Sequence, residues 1–171
     1  MDKSRNLLIA GLGNPGKEYD GTRHNAGFMA VDFLVGSDAK WEKKKNYLVC
    51  KTEKGIFIKP QTFMNLSGMA VQAAMAKYKI PLSNVLVIHD DIDLKPGDLR
   101  IKTGGGNAGH NGLKSISAIV GNDYTRVRIG VGRPEGQNYD ISDWVVDKFT
   151  KSELDEVIKT FYKITVPNLS W

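Results

Sequence analysis

The chain has 171 residues, of which 41% are hydrophobic and 25% charged, so its length and composition suit one globular domain and leave little room for two. Its 24 lysines and arginines outnumber 19 acidic residues and give a formal net charge of +5, which is compatible with a polyanionic partner but does not require one. The single cysteine, Cys50, excludes a disulfide framework, and because no signal peptide or membrane-spanning run is evident, the chain is expected to be cytoplasmic.

Segments typical of strands and of helices alternate along the chain. Short apolar or alternating runs predict strands at residues 7–10, 47–52, 56–59, 85–88, 99–102 and 127–131. Apolar residues at helical spacing predict helices within residues 26–34, 66–74, 113–120 and 152–162, the last with Ser152 as its N-cap. This alternation predicts an α/β fold, a single domain over residues 1–171 built on a mixed β-sheet, with the 85–88 strand near its centre.

Glycines concentrate in two stretches, residues 11–27 and 104–112, and each follows a predicted strand. Sites in such sheets lie at the carboxyl ends of strands, so both stretches are candidates for site loops. Residues 11–16 (GLGNPG) match the G-x-G-x-x-G pattern. However, no helical period follows directly, as a dinucleotide site requires, and no G-K-[ST] sequence makes a Walker loop.

Polar residues gather at the predicted element boundaries. The chain's three histidines, His24, His89 and His110, lie there. Asn14, Asn65 and Asn111 lie in matching places. Each asparagine alone is explained equally well as a turn or N-cap residue. Their joint placement on one predicted edge of the sheet favours a shared pocket.

Asp90 ends the predicted central strand, where a carboxylate is costly unless it is paired. A nearby histidine is the natural partner, because a carboxylate that accepts from one ring nitrogen fixes the tautomer and raises the basicity of the other. His89 is interpreted instead as a hydrogen-bonded core residue, and Asp91 and Asp93 as surface or turn residues.

Two other chemistries use the same residue types. The histidines and acids could bind a metal ion, although no H-x-x-x-H or C-x-x-C spacing supports this. A serine-based triad could use Ser67 or Ser115, but neither lies in a G-x-S-x-G elbow and both fall within predicted helices. Cys50 lies in a predicted strand, where it is interpreted as a small apolar residue rather than a nucleophile.

Five groups of segments, in chain order, resemble the signatures of bacterial-type peptidyl-tRNA hydrolases. They are residues 11–19 (GLGNPGKEY) with 22–27 (TRHNAG), 59–68 (KPQTFMNLSG), 89–94 (HDDIDL) with 96–97 (PG), 102–106 (KTGGG) with 109–114 (GHNGLK), and 126–134 (RVRIGVGRP). The resemblance runs from about residue 6 to residue 149. It implies a mixed, twisted sheet flanked by helices, in a monomer that acts without cofactor or metal. The implied reaction is hydrolysis of the ester between peptide and tRNA, which recycles tRNA from aborted translation.

The resemblance also implies roles for individual residues. His24 matches the catalytic histidine, and Asp90 the carboxylate that hydrogen-bonds it. The remaining matches are Asn14, Asn65 and Asn111, which position substrate and water, Tyr19 beside the tRNA–peptide junction, Met64 in the peptide channel, His110 among the substrate-binding residues, and Lys102 with Arg128, which clamp the 5′-phosphate of the tRNA.

Two stretches depart from the family pattern. Residues 35–53 are compact and lysine-rich, and residues 160–171 are shorter than the basic helical tail that is usual in the family, so tail contacts to tRNA are not expected. One alternative is a non-catalytic RNA-binding protein on the same fold, as in plant organelle relatives that assist intron splicing. The joint presence of the histidine, the acid and the three asparagines favours an enzyme.

Overall fold

The structure, a computed structural model, describes residues 6–136 and 138–164. In these residues one mixed sheet has the strand order β2-β3-β4-β1-β5-β7-β6. Its strands are β1 (Leu8–Gly11), β2 (Glu42–Lys43), β3 (Tyr47–Thr52), β4 (Gly55–Pro60), β5 (Val85–Asp91), β6 (Leu99–Thr103) and β7 (Thr125–Gly130). The predicted α/β fold with a mixed sheet is confirmed.

Parallel pairing holds the centre of the sheet and antiparallel pairing its edges. β1 pairs in parallel with both β4 and β5, and β5 in parallel with β7. Every residue of β1 and β5 is buried, as expected for strands covered on both faces. The β3–β4 hairpin and the exposed edge strand β6 are antiparallel additions. The carboxyl ends of β1, β4, β5 and β7 therefore meet at one edge, which carries the site.

Helices cover both faces of the sheet. They are α1 (Ala26–Val35), α2 (Ser67–Tyr78), α3 (Asn111–Val120), α4 (Ile141–Val146) and α5 (Lys151–Phe161). One core packs α2 and α3 against the sheet, and a second core packs α1 and α5 against the opposite face. Among the described residues, no helix has the length and apolar character needed to cross a membrane.

Three local predictions differ from the structure. The N-cap of α5 is Thr150 rather than Ser152, because the Thr150 hydroxyl and the Glu153 carboxylate form a reciprocal capping box. β7 is almost wholly buried despite its alternating sequence, since Val127 and Ile129 pack into the core that includes α5, while Arg126 and Arg128 are held by hydrogen bonds to Asn122 and Asp91. Helix α4 and the two-residue strand β2 were not predicted, and both are too short to show a period.

Candidate functional site

A histidine and an aspartate from distant parts of the chain meet at the carboxyl edge of the sheet. His24 lies in a 3₁₀ turn (Arg23–Asn25) directly before α1, and Asp90 is the last residue but one of β5. The His24 Nδ1 atom is 2.8 Å from Asp90 Oδ2. Asp90 is 2% exposed and His24 8% exposed. Because a carboxylate accepts, Nδ1 of the neutral ring carries the proton and Nε2 keeps its lone pair.

The glycines of the first glycine-rich stretch bring α1 close enough to make this contact. A Cβ atom on Gly11 would overlap the carbonyl oxygen of Gly27, and one on Gly27 would overlap the carbonyl oxygen of Ile88. The backbone of Leu12 accepts from Phe28 N at 3.1 Å and donates to Ile88 O at 3.0 Å. The G-x-G-x-x-G pattern thus serves tight helix–sheet packing, and the turn that carries His24 is held against β5.

A second imidazole shares Asp90. His110 Nε2 lies 2.8 Å from Asp90 Oδ1, so each oxygen of the carboxylate faces one histidine. The ring centroids of His24 and His110 are 4.9 Å apart. His89 lies behind them, with its ring 5.1 Å from that of His110 and its Nδ1 donating to Asp90 O at 2.8 Å. His89 is 3% exposed, which confirms its interpretation as a hydrogen-bonded core residue.

Burial and the attraction between His24 and Asp90 have opposite effects on the pKa values of these two groups. Burial disfavours the charged form of His24, but the negative charge of Asp90 and the hydrogen bond to it outweigh this effect and raise the pKa of His24. Burial likewise opposes ionisation of Asp90, yet attraction to His24 and the hydrogen bonds from both imidazoles lower its pKa. Burial and the neighbouring His110 lower the pKa of His89 to about 4. At neutral pH the group therefore holds an ionised Asp90 and a neutral His89.

His24, Asp90 and His110 also lie close enough to be tested as a metal site, with candidate ligand atoms within 4.8 Å of one another. Two ligand atoms that share a tetrahedral zinc ion sit about 3.3 Å apart, as bond lengths near 2.0–2.1 Å require. The nitrogen–oxygen distances of 2.8 Å from both histidines to Asp90 are shorter. They are the distances of direct hydrogen bonds, so hydrogen bonding accounts for the arrangement.

The three predicted asparagines are held in different ways. Asn14 is 7% exposed, and its Oδ1 accepts from Met64 N at 2.7 Å. This bond assigns the other end of the amide, Nδ2, as the free donor. Asn65 and Asn111 are exposed, in a 3₁₀ turn (Met64–Leu66) and at the first residue of α3, respectively.

A cavity of about 510 Å³ opens beside the histidines. The predicted site residues that line it are His24, Asp90, His110, Asn111, Lys102 and Arg128. Arg128 donates from Nε to Asp91 Oδ2 at 2.8 Å. The assignment of Asp91 to the surface is wrong: it is 9% exposed at the end of β5, because β7 pairs alongside as far as Gly130 and Arg128 neutralises its charge. Asp93 is exposed, as predicted.

The predicted peptide-side residues, Tyr19 and Met64, are not among the residues that line this cavity. Met64 is 4% exposed and belongs to the core, and a Cβ atom on Gly112 would lie 2.6 Å from its sulfur. The neighbouring Phe63 is 49% exposed, and its ring is 6.3 Å from that of Tyr19. Phe63, which the sequence reasoning passed over, is thus the apolar ring that this side presents.

Comparison with known proteins places the chain in a family. The profile of the peptidyl-tRNA hydrolase family matches residues 8–168. The chain belongs to the peptidyl-tRNA hydrolase family. It is 49% identical over 166 residues to a peptidyl-tRNA hydrolase of Rickettsia africae, covering 93% of this chain and 89% of that protein. For the Rickettsia peacockii protein of the same name the identity is also 49%, with 93% and 91% covered.

A solved structure of this family supports the fold directly. The crystal structure of peptidyl-tRNA hydrolase from Acinetobacter baumannii superposes with a TM-score of 0.86 at 36% sequence identity, covering 93% of this chain and 84% of that one. The family resemblance seen in the sequence segments is therefore confirmed.

In this member of the family, one residue that sequence reasoning missed ties the histidine turn to α4. The Arg23 guanidinium lies 3.3 Å from the centroid of the Trp144 ring. It also donates to Trp144 O at 3.0 Å and pairs with Glu153 at 2.9 Å. Arg23 is 3% exposed. No local signal could have found these contacts, since they join residues more than 120 positions apart.

A second missed residue, Arg126, organises the other glycine-rich loop. It is 1% exposed, and its guanidinium donates to Asn122 Oδ1 at 2.6 Å and to Gly105 O at 3.4 Å. Gly105 in turn has a φ of +94°, and a Cβ atom there would collide with the Lys102 side chain. Arg126 therefore fixes the loop surface along which Lys102 extends.

Proposed function

We propose that the chain hydrolyses the ester that joins a peptide to tRNA and releases free peptide and free tRNA. One observation carries the proposal: in a member of this family, His24 Nδ1 donates to the buried Asp90 at 2.8 Å while Nε2 has no partner among the described residues. A histidine that donates from one ring nitrogen to a carboxylate has a more basic lone pair on the other, which suits it as a general base, and His24 is among the residues that line the cavity.

The reaction needs no covalent enzyme intermediate, because an ester has a better leaving group than an amide. His24 Nε2 takes a proton from water, and the oxygen of that water attacks the ester carbonyl carbon. The tetrahedral oxyanion then collapses, the bond to the ribose oxygen breaks, and that oxygen takes the proton back from His24. General-base assistance of this kind typically contributes about 10²–10⁴-fold.

Amide donors stabilise the oxyanion in this mechanism. Asn65 is the first candidate because it is exposed beside the peptide side, and Asn14 is the second. The bond from Met64 N to Asn14 Oδ1 supports the second assignment, because it occupies the oxygen and leaves Nδ2 as the donor. Asn111, at the cavity wall, holds the attacking water. Loss of one oxyanion donor typically costs roughly 10²–10³ in rate.

The tRNA is bound on the basic side of the cavity. Lys102 and Arg128 both line it, and they clamp the 5′-phosphate. The ion pair with Asp91 engages only Nε of Arg128, so its two amino groups are available for a phosphate. Tyr19 is assigned to the tRNA–peptide junction and Met64 to the peptide channel, and the exposed ring of Phe63 lies 6.3 Å from that of Tyr19.

The remaining features of the proposal follow the resemblance. The protein is a cytoplasmic monomer, one domain spans residues 1–171, and hydrolysis requires neither metal nor cofactor. Unchanged hydrolysis after exhaustive chelation is the expected result, and loss of activity restored by a divalent ion would overturn the metal-free mechanism. The RNA-binding alternative is not favoured, since the His24–Asp90 pair and the hydrolase names of the Rickettsia relatives both favour an enzyme.

Release of labelled peptide from purified peptidyl-tRNA tests the proposal. The wild-type chain should hydrolyse the substrate, and His24→Ala should abolish turnover while it keeps affinity for tRNA. Binding of tRNA to the same variant is the control for folding. A wild-type chain that binds tRNA without releasing peptide would support the non-catalytic alternative, and near-normal hydrolysis by His24→Ala would refute the general-base assignment.

A further inference from the structure

The two ring nitrogens of His110 make different contacts, and together these contacts determine which nitrogen carries the proton. The residue is the N-cap of α3, and its Nδ1 accepts from Gly112 N at 3.1 Å and from Leu113 N at 3.3 Å. A ring nitrogen that accepts from backbone N–H groups carries a lone pair rather than a proton. The N-terminus of α3 thus determines which nitrogen of His110 is unprotonated.

The other nitrogen must then carry the proton. His110 Nε2 lies 2.8 Å from Asp90 Oδ1, and a carboxylate accepts only. The ring is therefore the neutral Nε2–H tautomer. Both of its nitrogens are used within the protein, and its side chain is 9% exposed. No ring nitrogen is therefore left free for the predicted contact of His110 with substrate.

This arrangement also fixes Asp90. Its two oxygens each accept from one imidazole, so the carboxylate plane cannot rotate without losing a bond from His24 or His110. Since the carboxylate orients His24, the cap of α3 acts on the base through Asp90. Both histidines face the same acid, yet only His24 has a nitrogen free to take a proton from water.

We propose that His110 is a positioning residue: α3 holds it as a neutral donor that fixes Asp90, and this leaves His24 as the one base of the pair. The inference rests on the proposed function, because it concerns the same site. The other titratable or charged groups at the cavity wall are His89 and Asp91 on β5, Lys102 on β6, and Arg126 and Arg128 on β7.

The two contacts of His110 can be separated by substitution. His110→Asn keeps a strong N-cap, because the amide oxygen can accept from the first turn of α3. Its amide nitrogen lies one bond closer to the backbone than Nε2 of histidine, so the variant loses the hydrogen bond to Asp90. His110→Ala loses both contacts. We expect both variants to lose about 10- to 100-fold in kcat, as when a hydrogen-bond partner of a functional group is removed, with KM nearly unchanged. Only His110→Ala should also unfold at markedly lower urea concentration.

The kinetic readout distinguishes positioning from substrate contact. A rise in KM at unchanged kcat in His110→Asn would assign His110 to substrate binding and overturn the proposal, as would wild-type kinetics. If the wild-type chain released no peptide, the proposed function would fail on its own, and the tautomer could still be measured.

Nitrogen-15 NMR of the imidazole rings measures that tautomer without any activity. At a pH where His24 is neutral, His110 should give the signature of an unprotonated Nδ1 and a protonated Nε2. A protonated Nδ1 on His110 at that pH would overturn the inference, whatever the hydrolysis assay shows.

Discussion

Replacing Asp90 with asparagine should remove most of the activity by reversing the tautomer of His24. In the wild-type chain each oxygen of Asp90 accepts a hydrogen bond from one imidazole. An amide offers one acceptor and one donor, so one of the two histidines must face the new N–H group. His110 cannot accept it, because its free lone pair is already used by the N-terminus of α3.

The size of the effect follows from the cost of the unfavourable orientation. Directing the amide N–H at His110 Nε2–H would leave a buried donor without an acceptor, which costs about 1–3 kcal/mol. The amide should therefore face His24 with its nitrogen by a factor of roughly 5 to 150. His24 Nδ1 then accepts, and the proton moves to Nε2, where the base lone pair is needed. The rate should fall by the same factor, about 5- to 150-fold, because only the minor orientation of the amide leaves the lone pair on Nε2.

Single-turnover release of peptide from peptidyl-tRNA is the appropriate assay, with tRNA affinity measured alongside. Asp93→Asn is a matched control, since it makes the same chemical change in an exposed ion pair with Arg133 and should leave the rate unchanged. A titration of the His24 ring should give a lower pKa in Asp90→Asn, because the charge that raises it is gone while burial remains. A variant that kept more than about a fifth of wild-type kcat would refute the tautomer argument.

Three further results are expected. Lys102→Ala and Arg128→Ala should each weaken tRNA binding and reduce by about one the slope of log affinity against log salt. Each variant makes one phosphate contact fewer, so fewer counterions leave the tRNA when it binds, and unchanged slopes would exclude the clamp. Gly27→Ala should lower the free energy of unfolding in urea by about 1–3 kcal/mol, since its Cβ would overlap Ile88 O; a more stable variant would contradict the close packing. The raised pKa of His24 should make kcat fall on acidification from a pH above the ordinary imidazole value of about 6.5, since only neutral His24 is a base; a profile flat down to pH 5 would contradict this.

The fold could be predicted from the sequence wherever a periodic pattern was long enough to show. The apolar run at 85–88 and the strand patterns at 47–52 and 56–59 are local signals, and all three strands are present. The six residues of α4 make fewer than two turns, so no period could appear. The correct cap of α5 was readable, because Thr150 and Glu153 have the spacing of a capping box.

The site could be predicted as a set of residues but not as a network. The cost of burying Asp90 without a partner indicated that a histidine lies beside it, and His24 does. That a second histidine shares the carboxylate depends on where α3 begins relative to β5, which no local pattern encodes. Asp91 was misassigned because the run His-Asp-Asp-Ile-Asp is typical of a turn, whereas pairing with β7 extends the strand as far as Asp91.

Two unlike surfaces of the molecule support the proposed choice of bond. Lys102 and Arg128 make the wall of the cavity basic, which suits a polyanion, while Phe63, outside that wall and directly before the Met64–Leu66 turn, presents an exposed apolar ring. A substrate that is anionic at one end and peptide-like at the other would bind both surfaces only with its junction near His24. Selectivity for the junction would then come from where the two ends bind, and the catalytic groups themselves need recognise only an ester carbonyl and a water molecule.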